Sequence, residues 1–142
     1  MKGILRISIV ALMTFLYSSC DEVYQIEFRI FNQTDENVEI AYLSQKQDFT
    51  SIMYTPGEEQ NYHRIVFDGA AVEKIKPHDV KAFIYDIGME RPCIDPEYNG
   101  IVPLWDRIVY IIIGNDTLDR SKYEKIRWIR TPELHSLILT KD

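Results

Sequence analysis

The chain has 142 residues, with 16 Lys and Arg against 22 Asp and Glu, a net charge of −6, and 46% hydrophobic residues. That acidic balance excludes the basic footprint of a nucleic-acid binder and a basic membrane-surface patch. The length allows one hydrophobic core and is too short for two.

Lys2 and Arg6 precede the uncharged run Ile7 to Ser19, and Ser18-Ser19-Cys20 closes it. Positive charge, an apolar stretch and then small residues make the pattern of a secretory signal. A cysteine directly after small residues is what a bacterial lipoprotein peptidase requires. The expected organisation is therefore a lipoprotein signal over 1–19 and a single β-rich domain over 20–142, tethered through a lipidated Cys20. A transmembrane helix fits less well. The run has 13 residues where a span takes about 20, and Asp21 and Glu22 follow at once. A secretory signal without lipid is the other alternative, because Tyr17 stands where a lipobox usually carries Leu, and Leu16 lies one place earlier. One acyl chain binds a membrane marginally, whereas two or more anchor stably, so the folded part would sit in water beside the membrane. Losing 1–19 removes two bases and no acid, leaving 14 basic against 22 acidic side chains. Acylation of Cys20 would also leave Cys93, the other cysteine, without an intramolecular partner. Stability then has to come from packing, and Cys93 reads as a small buried apolar residue rather than a nucleophile.

Tyr24, Ile26, Phe28 and Ile30 alternate with polar residues, the period of a half-buried strand. A polar turn over 32–37 follows, and Val38, Ile40 and Tyr42 restart the alternation. Phe49 to Tyr54 and Tyr62 to Phe67 flank Thr55-Pro56-Gly57, which suits a type II turn and predicts a hairpin. Ala71 to Ile75, Val80 to Ile87 and Arg107 to Ile113 are further strands, and the near-continuous apolar character of the last predicts a central strand covered on both faces. Ser121-x-x-Glu124 fits a capping box, with Tyr123, Ile126 and Ile129 at helical spacing behind it. Thr131-Pro132 fits the start of another helical turn, and His135 to Thr140 fits a closing strand or a second short helix. The expected fold is mostly β: an antiparallel β-sandwich, Ig-like or similar, of about six to eight short strands with a short C-terminal helix.

The stretch Gly88 to Asp106 is long for a connection in a small sandwich, and such loops often carry function. Within it, Asp95, Glu97 and Asn99, with Gly100 and then Asp106, follow the spacing by which a calcium loop wraps one cation. Glu at the third position, Pro103 at the ninth and Asp106 in place of a bidentate Glu depart from that pattern, so an acidic surface loop is the alternative. Tyr98 and Trp105 offer flat apolar faces to a sugar ring or protein partner, unless Trp105 caps the core beneath the loop. His63, sharing a strand face with Ile65 and Phe67, reads as a core-edge residue, and His78 as an exposed turn residue. His63, His78 and His135 show no metal spacing. The adjacent pair Glu58-Glu59 would point to opposite faces of a strand. No nucleophile elbow, His-Glu-x-x-His or phosphate-binding Gly loop is present. No cofactor is expected.

Taken with Cys20 and the acidic pair Asp21-Glu22, two segments carry a resemblance: the strand-turn Ile30-Phe-Asn-Gln-Thr-Asp-Glu-Asn37, and the late apolar strand running into Asn115-Asp-Thr-Leu118. The chain resembles the small lipoproteins of the gut Bacteroidota envelope, over most of the part after Cys20. The resemblance implies an outer-membrane lipid anchor, periplasmic or surface-exposed, and a β-rich fold. Most such proteins have no assigned activity. It also implies that Asp116-Thr117-Leu118 is an O-glycosylation sequon with Thr117 as acceptor. Asn32-Gln33-Thr34 and Asn115-Asp116-Thr117 fit the N-glycan sequon as well. The expected role is a non-enzymatic binding or accessory module with an envelope protein or glycan as partner. The alternatives are a calcium- or glycan-binding module using 88–106, and a small hydrolase.

Overall fold

The computed structural model describes residues 23–44, 49–54, 61–64 and 69–141. The first alternating run forms β1 (Tyr24–Asn32), whose Ile26, Phe28 and Ile30 are fully buried between more exposed neighbours. Successive side chains of a strand face opposite ways, so one apolar set suffices to plant β1 on a core. In chain order follow β2 (Val38–Ser44), β3 (Phe49–Tyr54), β4 (Asn61–Arg64), β5 (Gly69–Ile75) and β6 (Val80–Gly88). The helical turn α1 (Leu104–Arg107) leads into β7 (Ile108–Ile113), β8 (Asp116–Thr117), β9 (Ile129–Arg130) and β10 (Leu134–Leu139). Eight of these ten strands have four or more residues.

They form two sheets, ordered β4-β3-β6-β1-β10-β9 and β5-β2-β7-β8. All pairings are antiparallel except β1 with β10. The sheets pack as a sandwich around one core, with Phe28, Phe83 and Leu137 from one layer and Ile40, Tyr42 and Ile111 from the other. Tyr42 and Phe83 meet edge to face, 5.3 Å between ring centroids. The predicted mostly-β sandwich is therefore what forms. Its C-terminal helical segment consists of two consecutive 3-10 turns, Arg120–Lys122 and Lys125–Arg127.

Several local expectations change. β7 is covered on one face only: Ile108, Ile111 and Ile113 are buried, whereas Val109 is 56% exposed and Tyr110 and Ile112 are half-buried, because each layer of a two-sheet sandwich has one inner face. A register shift between Ala41 and Tyr42 lets Ile108 and Ile111 both turn inward. Asp119, not Ser121, caps the first 3-10 turn, its carboxylate accepting from Ser121 N–H. Tyr123 and Trp128 take the buried places and leave Ile126 and Ile129 in solvent. The Trp128 indole N–H donates to Tyr123 O at 3.2 Å, and burying two large aromatics outweighs a regular helical stripe. Thr131 opens a turn closed by Leu134, not a helix, and 134–139 is the closing strand. β3 and β4 pair as the predicted hairpin. Thr55-Pro56-Gly57, Glu58-Glu59, Ile65, Phe67 and the side chain of His63 lie outside the described residues, as do residues 1–19, the expected signal, and Cys20.

The polar segment 32–37 is built around Asn32, which is 1% exposed. Its amide donates to the carbonyls of Glu36 (2.7 Å), Lys76 (2.9 Å) and Ile75 (3.2 Å), and its oxygen accepts from the Thr34 hydroxyl at 2.7 Å. One side chain thus joins the ends of β1 and β5. Asn32→Ala removes the donor these three carbonyls share, the Ile75 carbonyl among them in a buried bond, and is expected to cost about 2 kcal/mol in urea unfolding. Asn32→Asp, which keeps the acceptor and loses the donor, should be no milder.

Candidate functional site

The 88–106 loop divides its two aromatics. Tyr98 is 81% exposed, whereas Trp105 is 2% exposed, so Trp105 caps the core and offers no face to a sugar. Its ring meets Phe28, His135 and Trp128 at 5.3, 5.4 and 5.7 Å, edge to face. Arg107 fastens the end of the loop, donating from Nε to Val102 O at 3.0 Å and from Nη1 to Leu43 O at 2.9 Å. Burial lowers this guanidinium to about 10, which leaves it cationic at neutral pH.

The calcium-like spacing folds as a 3-10 turn over Pro96–Asn99, ended by Gly100 in the left-handed region. Its oxygens are directed elsewhere. Asp95 binds Lys125 and Arg130, both at 2.8 Å, and Glu97 lies 3.6 Å from Lys125. Asn99 accepts from Cys93 N–H and donates to Arg91 O, which braces the loop internally. Asp106 is exposed. Among the described residues no group of three or more His, Cys, Asp or Glu is placed to hold a metal. The hydrogen bond from Lys125 is the main reason the Asp95 carboxyl stays below its ordinary range. Cys93 is half-buried rather than fully buried. Lys125 and Arg130 also lie over the Trp105 ring, at 5.6 and 5.9 Å. Local spacing carries no trace of this junction, because its partners are some 30 residues apart in the chain.

His78 lies on an exposed turn, 3.0 Å from Asp35. His135 has no solvent exposure and neither ring nitrogen has a hydrogen-bond partner among the described residues. It stacks on Phe28 at 4.8 Å. Burial, aided by Arg130 and Lys125 against Asp95, pushes its imidazole down to about 4.

A cleft of about 750 Å³ opens at the other end of the sandwich. Asp116, Thr117, Leu118 and Asp119 form one wall, Ile138 to Lys141 the other, and Lys122 and Arg127 close it. The β7–β8 hairpin that carries the first wall turns on Gly114-Asn115 with Gly114 at φ 60°, suited to a two-residue hairpin loop with glycine first. Lys141, on the second wall, pairs with Glu36. Thr117, the expected sugar acceptor, is exposed on this wall, and Asn115 is exposed beside it, whereas the Asn32 amide is buried and engaged. Mixed apolar and charged lining at this volume is ordinary for a ligand cleft. Of this lining only Asp116-Thr117-Leu118 carries a motif in the sequence, since the walls come from two strands that meet through the fold. No family model, curated protein or solved structure matches this chain.

Proposed function

We propose that the chain is a lipid-anchored, non-enzymatic binding or accessory module of a bacterial envelope, tethered through acylated Cys20 and binding its partner in the distal cleft. The observation that carries the reading is the position of that cleft. β1 starts at Tyr24, four residues after Cys20, and four residues reach at most about 14 Å. Nine residues later, at the opposite end of β1, Gln33 N–H donates to Leu139 O at 2.9 Å in the cleft wall. A strand of that length spans about 30 Å, so an anchored molecule would hold the cleft away from the membrane and the 88–106 loop near it. The ion-paired Asp95 and the buried Trp105 favour a supporting role for that loop.

The reading is tested by expressing the full chain in a lipoprotein-processing bacterium beside Cys20→Ala. Mass spectrometry should find acyl mass on a peptide beginning at Cys20. The variant should lack it and move from the membrane to the soluble fraction. A wild-type protein without acyl groups would sink the anchor.

A further inference from the structure

The six-stranded sheet ends unevenly at the cleft. Glu27 N–H donates to Glu133 O, and Gln33 N–H to Leu139 O, so the odd-numbered residues of β10 direct their backbone groups to β1. Backbone groups alternate along a strand, which leaves Leu134, Ser136, Ile138 and Thr140 facing the other side. On that side β9 aligns only with His135 and Ser136, and Thr131 N–H reaches Leu134 O. The chain then leaves the sheet, because Trp128 is buried and 125–127 coil into a 3-10 turn. Ile138 and Thr140 therefore present N–H and C=O groups without a backbone partner among the described residues, and both line the cleft. The facing wall behaves alike. Asp116 and Leu118 are bonded towards β7, so Thr117 turns its backbone outward into the same cleft.

An open strand edge is a template for a further strand. If β9 continued its register, Arg127 would stand opposite Ile138. Its Nε donates to Ser121 O at 3.5 Å, and no described carboxylate lies within ion-pairing distance of its guanidinium. Asp116 and Asp119 on the other wall disfavour a uniformly acidic ligand, so one carboxylate among neutral residues fits.

The geometry points to an extended peptide segment as the ligand of this cleft. It adds a short strand to β10 through Ile138 and Thr140, sets an apolar side chain towards Ile113 and Leu118, and brings one carboxylate to Arg127. The inference rests on the cleft being the binding site and does not need acylation of Cys20.

The test uses the full chain and acetylated pentapeptides with Glu fixed at the centre and Val, Ile, Thr or Tyr elsewhere. Bound peptide should slow amide exchange at Ile138 and Thr140 by about tenfold or more. N-methylation of alternate peptide amides should weaken binding by about tenfold, and Arg127→Ala, or Gln for the peptide Glu, by about as much. Ile138→Pro should abolish binding without breaking the β1–β10 ladder, since the Ile138 N–H serves only the open edge. Binding indifferent to N-methylation, or no member binding at about millimolar concentration, would overturn the proposal. So would concentration-dependent pairing of the chain with itself through the same amides. If peptide binds but Cys20 carries no lipid, the envelope reading falls and the cleft stands. If Cys20 carries lipid but no peptide binds, the anchor stands and the peptide site falls.

Discussion

Replacing Trp105 with Ala is expected to remove about 3–5 kcal/mol from the stability of the domain. The indole is almost fully buried and touches three aromatic rings at once, so truncation opens a large cavity where β1, β10 and α1 converge. A domain of this size has about 5–15 kcal/mol in total, so the variant should unfold at far lower urea and show partial unfolding near body temperature. Trp105→Phe keeps much of the packing and removes an indole N–H that has no partner among the described residues, so its loss should be markedly smaller. Urea unfolding of the three proteins decides the matter. A loss under about 1 kcal/mol for Trp105→Ala would mean that the ring is not part of the core.

The second large effect is a pH dependence. His135 titrates near its ordinary value of 6.5 when unfolded and near 4 when folded, because burial disfavours the imidazolium. Between those values the unfolded chain binds the proton and the folded one does not, so stability falls as pH falls from about 6.5 to about 4. Above that window the contribution is fully present, and below it no further loss comes from this group. The shift corresponds to about 3 kcal/mol at most. His135→Phe should preserve the stacking on Phe28, remove two unpartnered nitrogens, and leave stability at pH 7 unchanged or higher. Carboxylates titrate in both proteins, so the difference between the wild-type and variant pH profiles isolates His135. Parallel profiles between pH 7 and 4 would refute the assignment.

The aromatic box around these two residues lies beyond what local patterns convey. His135 fits a strand or a helix equally well by its neighbours, yet its burial follows from β10 lying parallel to β1, a pairing between opposite ends of the domain that no local period encodes. Trp128 is masked in the sequence because its neighbours Ile126 and Ile129 have the helical spacing. The ring won the core place through its larger apolar area. Asp95 stands in an apparent ion-binding spacing, but two cations from the far end of the chain occupy it instead.

What the sequence determined by itself was the alternation that makes β1 and β2 strands, the apolar run that makes β6 one, the hairpin pairing of β3 with β4, and the single-core, mostly-β class. Those are consequences of residue type and of a period of two, both local. The tertiary structure alone decided which aromatic is buried and which is displayed, which carboxylate is neutralised, and that two unfinished strand edges share one cleft. Each of these depends on pairing between distant segments, and long-range register is set when two sheets close on a common core rather than by any one stretch of chain.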